Sequence, residues 1–259
     1  MPNAEVRVGR DYGMDLTAKL ALAATCVVAV YIGVRTLLIW RRTRMFPELC
    51  IGLNVLSIAL GGLVLTLLMV VGSTPAEGAR YYIPRVFGLL CIFVHIPASY
   101  ATVWKIFRSS DRWALALVGV TTAAAVPWFL LVLTSEGVPV ASSSVLLLVL
   151  RGGGMLWATL ECFRYSALLR RRAALGLGDP IIAHRIWLWG LGAGFTLLAI
   201  GLDIGSWVLA GQAFIHTPLG LVLAALTLAG ALSIAFAFFP PVRYARRMER
   251  RYARAGETV

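Results

Sequence analysis

Long apolar runs, broken by short charged stretches, set the pattern of this chain. A helix needs about 20 mainly apolar residues to cross a bilayer. Seven stretches reach that length: 17–40, 46–71, 82–107, 113–134, 144–168, 186–210 and 217–239. The second and seventh are nearly free of charge, whereas the third and fifth carry charges in their interiors. The pattern predicts an all-α polytopic membrane protein, a single seven-helix bundle. Residues 1–16 are expected to form a polar segment outside the cytoplasm, 17–239 the transmembrane domain and 240–259 a basic tail. The first sixteen residues carry Asp11 and Asp15 and do not resemble the head of a cleaved signal peptide, so the first segment is expected to be retained.

Charge orients the bundle. Arg41, Arg42 and Arg44, then Arg108 and Arg112, then Arg170, Arg171, Arg172 and Arg185, and six arginines from Arg243 to Arg254 fall on one side. The other side has Arg7, Arg10, Lys19 and Arg80. Positive residues mark the cytoplasmic face, which predicts an outside amino terminus and a cytoplasmic carboxyl terminus. Trp40, Trp104, Trp113 and Trp187 near the same ends fit an interfacial belt. The net charge of +12 is therefore read as topology and attraction to anionic lipid, not as nucleic-acid binding. The tail suits a basic helix on the inner leaflet or a docking site for a protein partner.

The prolines hint at an internal repeat. Pro47 and Pro180 open or precede the second and sixth segments, offset by 133 residues; Pro84 and Pro218 stand at the third and seventh, offset by 134. A parallel repeat of three helices, a linker helix and three helices would produce these offsets. So would the preference of proline for helix starts. Rhodopsin-type bundles and small sugar transporters both accommodate such a plan, so it does not separate receptor from carrier.

Candidate chemistry lies in the buried charges, which are costly in a membrane and usually face a cavity or a partner. Arg85, Arg151 and Asp203 are expected to cluster in the outer third, with His216 at the rim. The surplus guanidinium would take an anion: Glu77, or a carboxylate or phosphate ligand. A salt-bridge network that fixes packing is the alternative. Gly152, Gly153 and Gly154 would admit a helix or a ligand close to the backbone. His95 is a core histidine or the floor of the ligand site. Asn54 and Glu161 form an inner polar layer, where Glu161 either pairs with an arginine or relays protons.

Several activities are argued against. The two lysines, Lys19 and Lys105, are not placed mid-membrane, so a retinal Schiff base lacks its amine. His95, His184 and His216 fall at different depths, against a metal site or two-histidine haem ligation. No nucleophile motif or phosphate loop is present. Cys26, Cys50, Cys91 and Cys162 sit in apolar segments and read as packing residues. Neither enzyme activity nor a cofactor is expected.

Three stretches carry a resemblance: RRTRMFPELCIGL, VWKIFRSSDRWALAL and FRYSALLRRRAALGLGDPIIAHRIWLWG. Together they resemble a family of bacterial seven-helix membrane proteins with no known activity. The resemblance implies a bacterial inner-membrane location. Within LGLGDP, Gly176 and Gly178 are expected to end one helix and Asp179 to cap the next. The functional expectation is a sensor that binds a small ligand, an anion being one candidate, through Arg85, Arg151, Asp203 and His95 and signals through a cytoplasmic partner. A small-molecule transporter and a structural accessory subunit are the alternatives.

Overall fold

The computed structural model describes residues 16–71, 78–134, 141–210, 220–241 and 243–244. Seven helices span them: α1 (Leu16–Thr43), α2 (Phe46–Val71), α3 (Ala79–Phe107), α4 (Arg112–Thr134), α5 (Ala141–Ala174), α6 (Pro180–Ala210) and α7 (Gly220–Phe238). All seven are long and apolar enough to cross a membrane, so the chain is an all-α, multi-pass integral membrane protein. Most large exposed side chains, such as Val27, Leu90, Val120 and Leu160, are apolar and suit contact with lipid tails.

Packing order follows chain order, with one exception. α1 packs on α2, α2 on α3, α3 on α5, α5 on α6, α6 on α7 and α7 back on α1. Six helices thus close a ring. α4 stands outside it, against α3 and α5. Its buried residues Ala114, Thr121, Ala125 and Trp128 recur at three- to seven-residue intervals, the single stripe of a helix packed on one side. α3 meets α2, α4 and α5. It has buried residues on several faces, which suits its central position.

Two crossings are close because glycines occupy both partners. A Cβ on Gly61 would lie 2.9 Å from the carbonyl oxygen of Gly88, and one on Gly192 would lie 2.9 Å from that of Gly230. In lipid there is little hydrophobic drive between helices, so such backbone approach is a main source of packing energy.

The helices end where capping chemistry ends them, which differs from where hydropathy ends. α5 runs six residues past the predicted 168 and α6 starts six before the predicted 186. Charged residues leave a bilayer without breaking a helix, so apolar runs mark the membrane and not the helix. The stop is Gly176 at φ 73°, with Leu177 N–H donating to Arg172 O (2.9 Å) and Gly176 N–H to Ala173 O (3.0 Å). This paired five- and three-residue bonding satisfies the last carbonyls through a left-handed residue that suits glycine. Asp179 Oδ1 then accepts from Ile181 N–H (2.7 Å), capping α6 as expected, with Pro180 at its first position. Two further ties fasten the basic end. Ser166 Oγ donates to Ala183 O (2.8 Å), joining α5 to α6. Arg185 Nε donates to Ala237 O (2.6 Å), satisfying a carbonyl at the end of α7.

Candidate functional site

The ring encloses a cavity of about 260 Å³. Its wall comes from α1, α2, α3, α5, α6 and α7; none comes from α4. Most of the lining is apolar, including Cys26, Ile32, Ile58, Ile92, Met155 and Ile234. Six polar side chains interrupt it: Thr25, Asn54, His95, Arg151, Thr196 and Thr227.

His95 is buried, and its Nδ1 lies 3.1 Å from the backbone carbonyl oxygen of Asn54. A carbonyl only accepts, so Nδ1 carries a hydrogen, and in the neutral ring Nε2 keeps its lone pair. The three threonines spend their hydroxyl protons on their own helices. Thr25 donates to Ala21 O (2.9 Å), Thr196 to Gly192 O (3.0 Å) and Thr227 to Ala224 O (2.9 Å). Their remaining lone pairs are acceptors. The Asn54 side-chain carbonyl oxygen is buried without a hydrogen-bond partner. The wall is therefore rich in acceptors.

Arg151 supplies the positive charge. It lies ten residues into α5, about 15 Å from the helix start. Its Nε is buried without a hydrogen-bond partner. Within electrostatic range stand Asp203 and His95. Among the described residues no acidic side chain lines the cavity.

Of the expected outer cluster, Arg151 and Asp203 come within electrostatic range of each other, and Arg85 goes elsewhere. Arg85 Nη2 donates to Val132 O on α4 (2.6 Å) and its guanidinium packs 5.7 Å from the Tyr81 ring centre. It serves the outside of the ring, whereas the cavity lies inside. Arg85 stands three positions before Gly88, which faces α2, and hydropathy does not tell which face of α3 meets which neighbour. His216 and Glu77 lie outside the described residues, as does most of the tail.

The inner layer also divides. Asn54 belongs to the cavity, while Glu161 belongs to an ion-pair network at the basic end. Arg108 Nη2 stands 2.7 Å from Glu161 Oε1, with Asp111 on the other side at 3.3 Å and Arg164 3.8 Å from Glu161 Oε2. Hydrogen bonding to Glu161 raises the Arg108 pKa above its ordinary value. The structural pairing expected of Glu161 is what these distances describe. The triple glycine serves helix packing: a Cβ on Gly153 would meet the Tyr100 hydroxyl at 2.4 Å and one on Gly154 the Ser99 hydroxyl at 2.7 Å. All four cysteines are free thiols, and among the described residues no cluster of three metal-ligating side chains forms.

A second cavity, about 390 Å³, opens at the arginine-rich end between Pro47 and Ile51 of α2, Lys105 of α3, Arg185 and Trp189 of α6 and Phe238 of α7. Between the two lies a void of about 40 Å³. It shares Asn54, Val55, Met155 and Ile234 with the central cavity and Ile51, Trp189 and Phe238 with the basic one. The three spaces are neighbours along the bundle, and Trp189, which lines both the void and the basic cavity, packs edge-on against Phe238 with ring centres 5.6 Å apart. Sequence reasoning had not singled out Trp189, Phe238 or the cavity threonines for the site. The threonines are separated by tens of residues on α1, α6 and α7, and only ring closure brings them together.

No protein-family model, curated protein or solved structure matches the chain.

Proposed function

We propose that this protein is a small-molecule carrier of the bacterial inner membrane, with the basic end in the cytoplasm and the amino terminus outside. The observation that carries the proposal is the series of three neighbouring cavities, which share lining residues from the polar site around Arg151 and His95 to the basic end. A binding pocket alone needs no such series. Transporter sites typically lie near the bilayer midplane between repeats.

The order of packing supports a three-one-three repeat. Exchange of α1–α3 with α5–α7 carries the α1·α2 pair onto α5·α6, α2·α3 onto α6·α7 and α3·α5 onto α7·α1. α4 is left over as the linker. The glycine crossings Gly61–Gly88 and Gly192–Gly230 recur in the two halves, although not in the register of the prolines.

The test is exchange in proteoliposomes loaded with a bacterial metabolite extract and diluted into an isotope-labelled extract. Protein-dependent exchange of a solute, abolished by Ala231→Trp in the cavity wall, is expected. Its absence in vesicles that contain folded protein would remove the carrier reading.

The sensor reading has one observation of its own. α5 has 34 residues and α6 has 31, about 51 and 46 Å at 1.5 Å per residue. Both exceed a ~30 Å apolar core. They lead without interruption from the cavity to an arginine-rich hairpin, a surface for a cytoplasmic partner. Ligand binding that alters this hairpin, with no solute exchange, would favour it.

A further inference from the structure

Arg151 lines the cavity from a membrane-spanning helix, and its Nε is buried without a hydrogen-bond partner, with Asp203 within electrostatic range. A buried guanidinium with an unsatisfied donor is costly and calls for an anionic acceptor. Besides Arg151, the Asn54 side-chain amide is a donor in the wall, and the other polar groups accept. His95 Nε2, the Asn54 side-chain oxygen and the Thr25, Thr196 and Thr227 hydroxyls all present lone pairs. The rest of the wall is aliphatic.

We infer that the central cavity takes a small monocarboxylate with an aliphatic body and a hydroxyl donor. This inference rests on the cavity being the solute site. The carboxylate meets Arg151, whose planar fork matches two carboxylate oxygens. The hydroxyl donates to the acceptor set around His95 and Asn54. The body packs among Ile32, Ile58 and Ile234. A neutral amide of the same shape binds more weakly, since it forfeits the charge-assisted bonds. A positive charge on the ligand would be repelled by Arg151. Asp203 offsets part of the field, so neutralising Asp203 strengthens carboxylate binding.

The probe is 2-hydroxy-4-methylpentanoate, with 2-hydroxy-4-methylpentanamide as its neutral match. Binding to the full-length protein in mild detergent is read by calorimetry and by thermal shift. The acid is expected to bind at millimolar concentration or tighter, the amide ~10-fold or more weakly, as for loss of a charged hydrogen bond. Arg151→Gln is expected to abolish the preference for the acid, Arg151→Lys to retain part of it, and Asp203→Asn to increase it. The ligand-free Arg151→Gln protein should be at least as heat-stable as wild type, because a buried guanidinium with an unsatisfied donor is gone; a structural ion pair would give the opposite. Equal binding of acid and amide, an unchanged preference in Arg151→Gln, or binding of neither probe would overturn the inference. Carboxylate binding without exchange in vesicles would leave it standing and remove the carrier.

Discussion

Gly153 and Tyr100 provide a sharp test of the packing between α5 and α3. The Tyr100 ring is buried at 5% exposure, and its hydroxyl donates to Leu150 O at 2.9 Å. A Cβ added at Gly153 would stand 2.4 Å from that hydroxyl oxygen and 3.6 Å from the ring carbon behind it. Gly153→Ala therefore forces the ring aside. Overpacking costs about 1–3 kcal/mol, and loss of the hydrogen bond about 1 kcal/mol. The better helix propensity of alanine offsets about 1 kcal/mol. A net loss of about 1–3 kcal/mol is expected. Tyr100→Phe alone should cost about 0.5–1.5 kcal/mol, the worth of one hydrogen bond. In the Tyr100→Phe background the same alanine meets only an ordinary contact, so Gly153→Ala should become neutral or stabilise by up to about 1 kcal/mol. The sign of one substitution thus depends on one oxygen atom. Unfolding in mixed micelles by SDS titration, followed by tryptophan fluorescence, measures all four proteins. If Gly153→Ala has the same effect in both backgrounds to within about 0.5 kcal/mol, the two sites are independent and the packing argument is wrong.

Two further predictions concern the basic end. Glu161→Ala should destabilise by about 1–2 kcal/mol, discounted because Arg108 remains partly solvated; Arg108→Ala added to it should cost little more, and full additivity in the same titration would refute the pairing. Gly176→Ala and Asp179→Ala should each cost about 1 kcal/mol, the first by forcing a side chain into left-handed backbone and the second by removing a helix cap. Both should speed proteolytic cleavage at the α5–α6 turn, and an unchanged rate would speak against the capping geometry.

The seven spans, the turn at LGLGDP and the identity of Arg151, His95 and Asn54 as membrane-buried polar residues were legible from the sequence. Each depends on local quantities: the apolar length of a segment, the backbone freedom of Gly176, the acceptor on Asp179. The positive-charge asymmetry is equally local, being a count along the chain. What the sequence did not decide is which faces meet. Arg85 and Arg151 looked equivalent as buried charges, yet one ties α3 to α4 outside the ring and the other lines the cavity within it. Asn54 and Glu161 looked like one layer, yet they sit in a cavity and in an ion-pair network. Nor do apolar runs reveal that Thr25, Thr196 and Thr227 share one wall. Every face of these helices is apolar enough for lipid, so periodicity carries little information about contact. The choice rests on close glycine crossings and on ring closure between α1 and α7, both of which join residues far apart in the chain and exist only in the folded bundle.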